Sequence, residues 1–361
     1  MDTLTHALSG ALAARLCVRP PDPQHPNRPA VWQAVTVGTV AALFPDGDFV
    51  LAFISEMTYL RGHRGMTHSL LLLPLWGLLI AWVMAALFRV AHRPGQPRPG
   101  WKNLYFLACL ALLLHILGDL ITQFGTMLLS PLSDRRFSLS TTFIIDLGIS
   151  GILLAGLIAS AAWRRSRLPA ALATLALLGW IGHSAMARSD ALEAARQYAE
   201  QQGIPIIALD AAPRPVSPHN WTAIVFDGQN YHYANLNTRR STALIATPDD
   251  PFLRRLSAPY PPIPEALWQV APRFGEDDAY ELARRVWKAE EFAFFRWFAM
   301  FPVLDHVTAE DSPDGLCAGF RDLRFETPGL ERTPFRYGLC QREGRWWMFE
   351  LTPQGRRPLA G

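Results

Sequence analysis

Residues 101–123 read WKNLYFLACLALLLHILGDLITQ, and this stretch decides the fold of the first half of the chain. It reaches the ~20 apolar residues that a helix needs to cross a bilayer. After Lys102, its only charged or imidazole side chains are His115 and Asp119. Residues four positions apart lie on one helix face, so the sequence predicts a membrane helix with a polar pair near its end.

Five other stretches share this apolar composition, although the first of them is short. The six predicted membrane helices are 4–18, 31–53, 69–91, 101–123, 141–163 and 168–187. The opening Met1-Asp-Thr-Leu-Thr-His6 lacks the basic segment of a signal peptide, so we expect the first helix to be retained and partly inserted.

Charge divides the chain into two parts. Residues 1–189 hold 15 Lys/Arg and 8 Asp/Glu, about 12% of that part, whereas residues 190–361 hold 19 and 23, about 24%. We therefore predict an all-helical membrane domain over 1–189 and a soluble α+β domain over 190–361. This division excludes a single globular domain and a disordered chain, and the net acidic second part excludes nucleic-acid binding by bulk charge.

The second part shows both helical and strand patterns. The predicted helices are 190–202 and 276–300, and the predicted strands are 221–227, 231–236, 316–326, 334–341 and 345–351. The turn Asp227-Gly228 joins the first two strands, and the aromatic face of the second helix is expected to belong to the core. Cys317 and Cys340 lie symmetrically about a turn near Pro328-Gly329, which places them on facing strands and predicts a disulfide in an oxidising compartment.

Basic residues predict the orientation of the membrane helices. Ten lie at one end of the apolar stretches: Arg15, Arg19, Arg28, Arg89, Arg93, Arg98, Lys102, Arg164, Arg165 and Arg167. Four lie at the other end: Arg61, Arg64, Arg135 and Arg136. The first set is therefore assigned to the cytoplasm, and the second part of the chain to the periplasm of a multi-pass inner-membrane protein.

Ionisable side chains are rare in the apolar stretches, and each costs at least ~2.5 kcal/mol near the bilayer centre. With this orientation they fall in the outer half of the membrane: His6, Asp46, Asp48, His68, His115, Asp119 and Asp146. Each has a plainer explanation when taken alone. Pro45-Asp46-Gly47-Asp48 is also a turn sequence, and the segment 61–68 can be a simple cationic loop. His183 is interpreted as a packed or solvated histidine at a helix end.

Four motifs together resemble the YdjM-like family of inner-membrane metal-dependent hydrolases. They are Met1-Asp2-x-x-Thr5-His6, Pro45-Asp46-x-Asp48, Arg64-Gly-x-Thr67-His68-Ser69 and His115-x-x-x-Asp119. Their order and spacing are also distantly similar to the zinc-dependent phospholipase C and single-strand nuclease fold. The second His-x-x-x-Asp motif of that fold is missing, because Thr142 precedes Asp146 at this spacing.

The distant resemblance implies a set of metal ligands. Asp46, His68, His115 and Asp119 would hold one ion. A second would be held by His6, by Asp119 as a bridge, and by the N-terminal residue or Asp2. Asp48, Asp2 and His63 are expected as alternative ligands or as groups that orient the ligands. Two Zn²⁺ ions are expected, with Mn²⁺ or Fe²⁺ as alternatives.

This site predicts hydrolysis of a phosphoester or ester by a metal-activated water. The predicted catalytic residues are Asp46, Asp119, Arg61 and Arg64, with the two arginines meeting a substrate phosphate. The depth of the site favours a lipid or lipid-linked substrate in the bilayer. Two other functions fit the same sequence: a metal or proton-coupled transporter that uses the buried His and Asp groups, and a membrane scaffold whose soluble part binds a partner.

Overall fold

The computed structural model describes residues 1–19, 21–91, 94–308, 315–330, 333–342 and 344–359. Arg93, one of the ten basic residues from which the orientation is predicted, lies outside the described residues. The chain divides into two compact units, Met1–Ala185 and Met186–Gly361. The division falls inside a helix, four residues before the predicted domain boundary.

The first unit is helical, and each of the six predicted stretches contains a helix. The helices are α1 (Thr3–Cys17), α2 (Val31–Leu43), α3 (Glu56–Gly62), α4 (Leu73–Val90), α5 (Trp101–Leu120), α6 (Leu147–Ala162) and α7 (Leu168–Gln202). Two 3-10 helices, Pro45–Phe53 and Met66–His68, follow α2 and precede α4. The predicted membrane stretch 69–91 begins directly after His68, whereas α4 begins at Leu73 and His68 lies in this second 3-10 segment.

Three of these helices are long and apolar enough to cross a membrane, namely α4, α5 and α7. A fourth is obtained when α2 and Pro45–Phe53, which meet at an angle of 44°, are taken as one bent span. Pro45 explains the bend, because a proline inside a helix removes a backbone hydrogen bond. At 15 and 16 residues, α1 and α6 are shorter than a full crossing, and six crossings remain a prediction.

Close packing of α1 on α2 depends on Gly10 and Gly38. A Cβ on Gly10 would lie 2.2 Å from the carbonyl oxygen of Gly38, and a Cβ on Gly38 would lie 2.3 Å from that of Gly10. Small residues at such a crossing let two backbones approach closely. His6 precedes Gly10 by one turn and Ala42 follows Gly38 by one turn, so this contact brings the start of α1 to the end of α2.

The predicted membrane stretch 168–187 and the predicted polar helix 190–202 form one continuous helix, α7. No proline or glycine occurs between His183 and Gln202, so nothing interrupts the backbone hydrogen bonding. Gly203 follows with a φ of +65°, which is the left-handed conformation that ends many helices.

The second unit is rich in β-sheet, and its described residues form two antiparallel sheets. The strands are β1 (Ala208–Pro213), β2 (Asn220–Phe226), β3 (Asn230–Asn237), β4 (Gln269–Pro272), β5 (Pro302–Val307), β6 (Leu316–Asp322), β7 (Tyr337–Arg342), β8 (Arg345–Thr352) and β9 (Gly355–Pro358). Neighbours in sequence pair in the sheets β1-β2-β3-β4 and β5-β6-β7-β8-β9. The predicted turn at Asp227-Gly228 joins β2 to β3, with Gly228 at a φ of +106°.

The predicted helix 276–300 is broken. Its parts are α9 (Asp277–Lys288), the 3-10 helix Glu290–Phe292 and α10 (Ala293–Phe298), and a short α8 (Phe252–Ser257) precedes them. Of the four side chains of its aromatic face, Phe292, Phe295 and Phe298 are fully buried and Trp297 is half-buried, so this face belongs to the core.

The predicted disulfide forms between Cys317 on β6 and Cys340 on β7. The two residues are directly opposite in the strand register, and both are fully buried. Cys17 and Cys109 are free.

Candidate metal centre

Asp119, in the last turn of α5, is the centre of a group of polar side chains in the first unit. Its side chain is 0% exposed. Oδ1 of Asp119 contacts the amino group of Met1, Nη2 of Arg64 at 2.7 Å and Nε2 of His6 at 3.2 Å. This oxygen is therefore surrounded by hydrogen-bond donors.

The other carboxylate oxygen, Oδ2 of Asp119, lies beside two imidazoles. Nε2 of His68 lies at 3.1 Å and Nε2 of His115 at 3.5 Å, yet Oδ2 has no hydrogen-bond partner within the described ranges. A buried carboxylate oxygen without a donor is unfavourable, so this atom is available to a cation.

The two imidazoles face each other. Nδ1 of His115 donates to the carbonyl oxygen of Ala42 at 2.6 Å, which leaves a lone pair on Nε2 of the neutral ring. Nδ1 of His68 lies 2.9 Å from Oγ1 of Thr67 and 3.6 Å from Oδ2 of Asp48, and these acceptors favour the same tautomer. The two Nε2 atoms are 3.0 Å apart. Facing lone pairs repel each other, so this arrangement fits a shared metal ion.

Asp46 and His6 complete the group. Oδ1 of Asp46 lies 3.9 Å from Nε2 of His68 and 3.7 Å from Nε2 of His115. The ring of His6 stacks on the ring of His115 with centroids 3.6 Å apart. One ligand atom from each of His6, Asp46, His115 and Asp119 lies within 4.8 Å of the others. The described residues thus contain a group that can hold a metal ion.

Asp48 lies beside this group and has another set of partners. Its carboxylate accepts hydrogen bonds from Nδ1 of His63 at 2.8 Å, from the backbone N–H of Arg64 at 3.1 Å and from Oγ1 of Thr67 at 3.3 Å. The geometry favours Asp48 as the group that orients His63 and the loop leading to His68, which is one of the two roles considered for it.

Arg64 is buried and adopts a φ of +60°. Besides Oδ1 of Asp119, its guanidinium contacts Oγ1 of Thr122 at 2.9 Å. Arg64 therefore holds the carboxylate of Asp119 in position, whereas Arg61 is exposed in the last turn of α3.

Two predicted carboxylates have capping roles outside the group. Asp2 is the N-cap of α1 and accepts from the backbone N–H of Thr5 at 3.0 Å. Asp146 is the N-cap of α6 and accepts from the N–H of Ile149 at 2.9 Å and from Nε1 of Trp180 at 3.0 Å. Such oxygens satisfy free N–H groups at helix starts, which explains why these residues lie where the helices begin.

The sequence alone did not indicate that the carbonyl of Ala42 accepts a hydrogen bond from His115, or that the hydroxyl of Thr122 contacts Arg64. Every residue has a backbone carbonyl, so the identity of Ala42 does not indicate that it is the partner of His115. Thr122 follows Asp119 by three residues, a spacing that places both on one helix face, and this signal was present.

A family model described as YdjM inner membrane protein matches residues 1–191, which include every residue of the group. An "Uncharacterized protein YfhP" of Bacillus subtilis (strain 168) is 29% identical over 147 residues. That match covers 40% of this chain and 42% of the relative, so the chain spans less than half of the relative's length. No solved structure matches the chain.

Proposed function

Because this chain belongs to the YdjM inner membrane protein family, we propose that its first unit is a metal-dependent hydrolase. The proposed reaction cleaves a phosphoester or ester of a lipid or lipid-linked substrate. The observation that supports it is the pair of facing imidazoles beside the unpartnered Oδ2 of Asp119. Mixed imidazole and carboxylate ligands suit Zn²⁺, with Mn²⁺ and Fe²⁺ as alternatives.

The ligands proposed for the first ion are Asp46, His68, His115 and Asp119. A divalent metal bound there would supply an activated water and polarise a phosphoryl or acyl oxygen. Asp46 is 19% exposed, unlike the other three, so we propose that it faces the substrate and accepts the proton of the attacking water. Arg61 is proposed to contact the substrate anion.

Two ions per chain remain our proposal. The second would be held by His6, by Oδ1 of Asp119 as a bridge, and by the N-terminal residue or Asp2. Nη2 of Arg64 lies 2.7 Å from that oxygen, so the second ion requires Arg64 to move away from it. The first ion requires no such movement, and we expect it to bind more tightly.

A lipid substrate is supported by the apolar surface of the segment that carries Asp46. The 3-10 helix Pro45–Phe53 begins with the polar pair Asp46 and Asp48 and ends with apolar side chains that are exposed. Phe53 is 83% and Ile54 is 72% exposed. Such side chains are stable in the interface of a bilayer, which would place the polar group at the depth of lipid head groups.

The test is metal content and hydrolysis measured on the same detergent-purified protein. We expect tightly held zinc and metal-dependent release of head groups from mixed phospholipid vesicles. Zinc without release from any lipid or lipid-linked ester would contradict the hydrolase. Uptake of the metal into sealed proteoliposomes would instead support the transporter.

The proposed orientation places the second unit in the periplasm. Alkaline phosphatase fused after residue 361 is expected to be active, and the same enzyme fused near Gly95 is expected to be inactive, because phosphatase needs the oxidising compartment to form its disulfides. The reverse pattern would place the metal centre on the cytoplasmic side.

A further inference from the structure

A cavity in the second unit contains a cationic side chain that has no anionic partner among the residues that the structure describes. Its volume is about 260 Å³, and we call it the Arg273 cavity. It is lined mainly by apolar and aromatic side chains, among them Leu209, Ile224, Phe226, Tyr231, Trp287 and Phe301. Arg273 directly follows β4, and its backbone carbonyl accepts from the N–H of Leu304 on β5 at 3.1 Å, so the cavity lies where the two sheets meet.

The guanidinium of Arg273 is held between aromatic rings. Its Cζ lies 4.8 Å from the ring centroid of Trp287, 5.1 Å from that of Phe274 and 5.9 Å from that of Phe226. These contacts fix the plane of the guanidinium but use none of its N–H donors. Its Nε is buried without a hydrogen-bond partner, and within the described part of the chain Arg273 has no ion pair.

The other charged groups of the cavity are already paired. Asp210 forms an ion pair with Nη2 of Arg188 at 2.5 Å. Nη1 of Arg296 donates to the carbonyl oxygens of Trp287 and Ala289 at 2.5 and 2.6 Å. Among the described residues that line the cavity, Arg273 is therefore the cation whose charge is left for a ligand, and leaving its buried Nε without a partner is costly.

We propose that the Arg273 cavity binds a small organic anion, with its carboxylate or phosphate on the guanidinium and an apolar or aromatic portion against Trp287 and Phe226. A guanidinium fork matches both kinds of anion. The apolar lining selects against a fully hydrated inorganic ion, which would lose its water shell. The volume equals roughly nine water molecules, which suits one ring or a short chain. This site is separate from the proposed metal centre and does not depend on its activity.

The test uses isothermal titration of the full-length protein in detergent with benzoate, phenyl phosphate, inorganic phosphate and benzyl alcohol. We expect at least one of the two aromatic anions to bind. Inorganic phosphate and benzyl alcohol are expected to bind at least 10-fold more weakly, because each lacks one half of the ligand. Equal binding of inorganic phosphate, or no binding of either aromatic anion, would overturn the proposal.

Variants assign the binding to Arg273. Arg273→Met keeps an unbranched apolar stem but removes the charge, and is expected to weaken anion binding at least 10-fold. Arg273→Lys keeps the charge in the same packing and loses the planar fork, so a measurable but weaker affinity is expected even where the Met variant fails to fold. Arg284→Met is the matched control, since Arg284 lies over Tyr280 at 5.4 Å outside the cavity. Unchanged affinity in both Arg273 variants, or equal loss in Arg284→Met, would overturn the assignment.

Discussion

Nε2 of His68 lies 3.0 Å from Nε2 of His115, although the two residues come from different segments of the first unit. Each ring has an acceptor near its other nitrogen. This pattern is typical of histidines that bind a metal, because the second hydrogen bond fixes the tautomer. The pair therefore gives the proposed metal centre its most specific test.

Replacing His115 with Ala is expected to abolish zinc binding and hydrolysis together, because it removes one ligand from the group. The membrane helices should still form, since alanine is compatible with a helix in an apolar environment. The measurement is zinc per chain by plasma mass spectrometry. His183→Ala on α7 is the matched control and should keep its zinc; equal zinc in wild type and His115→Ala would show that the site is assigned wrongly.

Asp48→Asn is expected to weaken metal affinity by something like 10 to 100-fold without abolishing binding, because Asp48 orients His63 and the loop before His68. Competition with a chelator of known affinity measures this change. Loss of metal as complete as in His115→Ala would instead make Asp48 a direct ligand. Asp146→Asn, at a cap outside the group, serves as the control.

The disulfide predicts a definite number of reactive thiols. Alkylation of the denatured, non-reduced protein should modify Cys17 and Cys109 alone, and reduction should raise the count to four. Cys317→Ser combined with Cys340→Ser is expected to lower the free energy of unfolding of the second unit by roughly 3 kcal/mol, because the bond closes a loop of 23 residues. Cys17→Ala is the control and should leave the free energy of unfolding of the second unit unchanged.

Asp227 provides a pH test in the second unit. Partial burial works to raise the pKa of its carboxyl, but the N–H groups of Asn230 and Gln229 and the imidazole of His232 outweigh burial and lower the pKa to about 2. A folded-state pKa below the unfolded value of about 3.9 stabilises the fold above pH 4, and this stabilisation is lost as the pH falls toward 2.

The Asp227→Asn variant should therefore lower the melting temperature more at pH 6.5 than at pH 3. The expected loss at pH 6.5 corresponds to about 1 kcal/mol. Asp249→Asn, on an exposed carboxylate, is the control. An equal decrease in melting temperature at both pH values would show that the charge of Asp227 does not contribute to the stability of the second unit.

Local patterns in the sequence predicted the helices of the first unit except α3, and in the second unit they predicted the strands β2, β3, β6, β7 and β8. Apolar stretches of bilayer length gave the helix positions, and Asp227-Gly228 gave a turn between two strands. The disulfide followed from the equal spacing of Cys317 and Cys340 about one turn. These features depend on residues near each other in the chain or on a simple hairpin, and their signals are therefore complete in the sequence.

The tertiary structure alone decided how polar groups share their partners. The two oxygens of Asp119 have the same chemistry, yet packing directs one to Arg64 and His6 and leaves the other to His68 and His115. The role of Asp48 in orienting His63 and the cationic cavity at Arg273 depend in the same way on contacts between distant segments. Hydrogen bonds and ion pairs act over about 3 Å, so their partners are fixed only when the helices and sheets have packed.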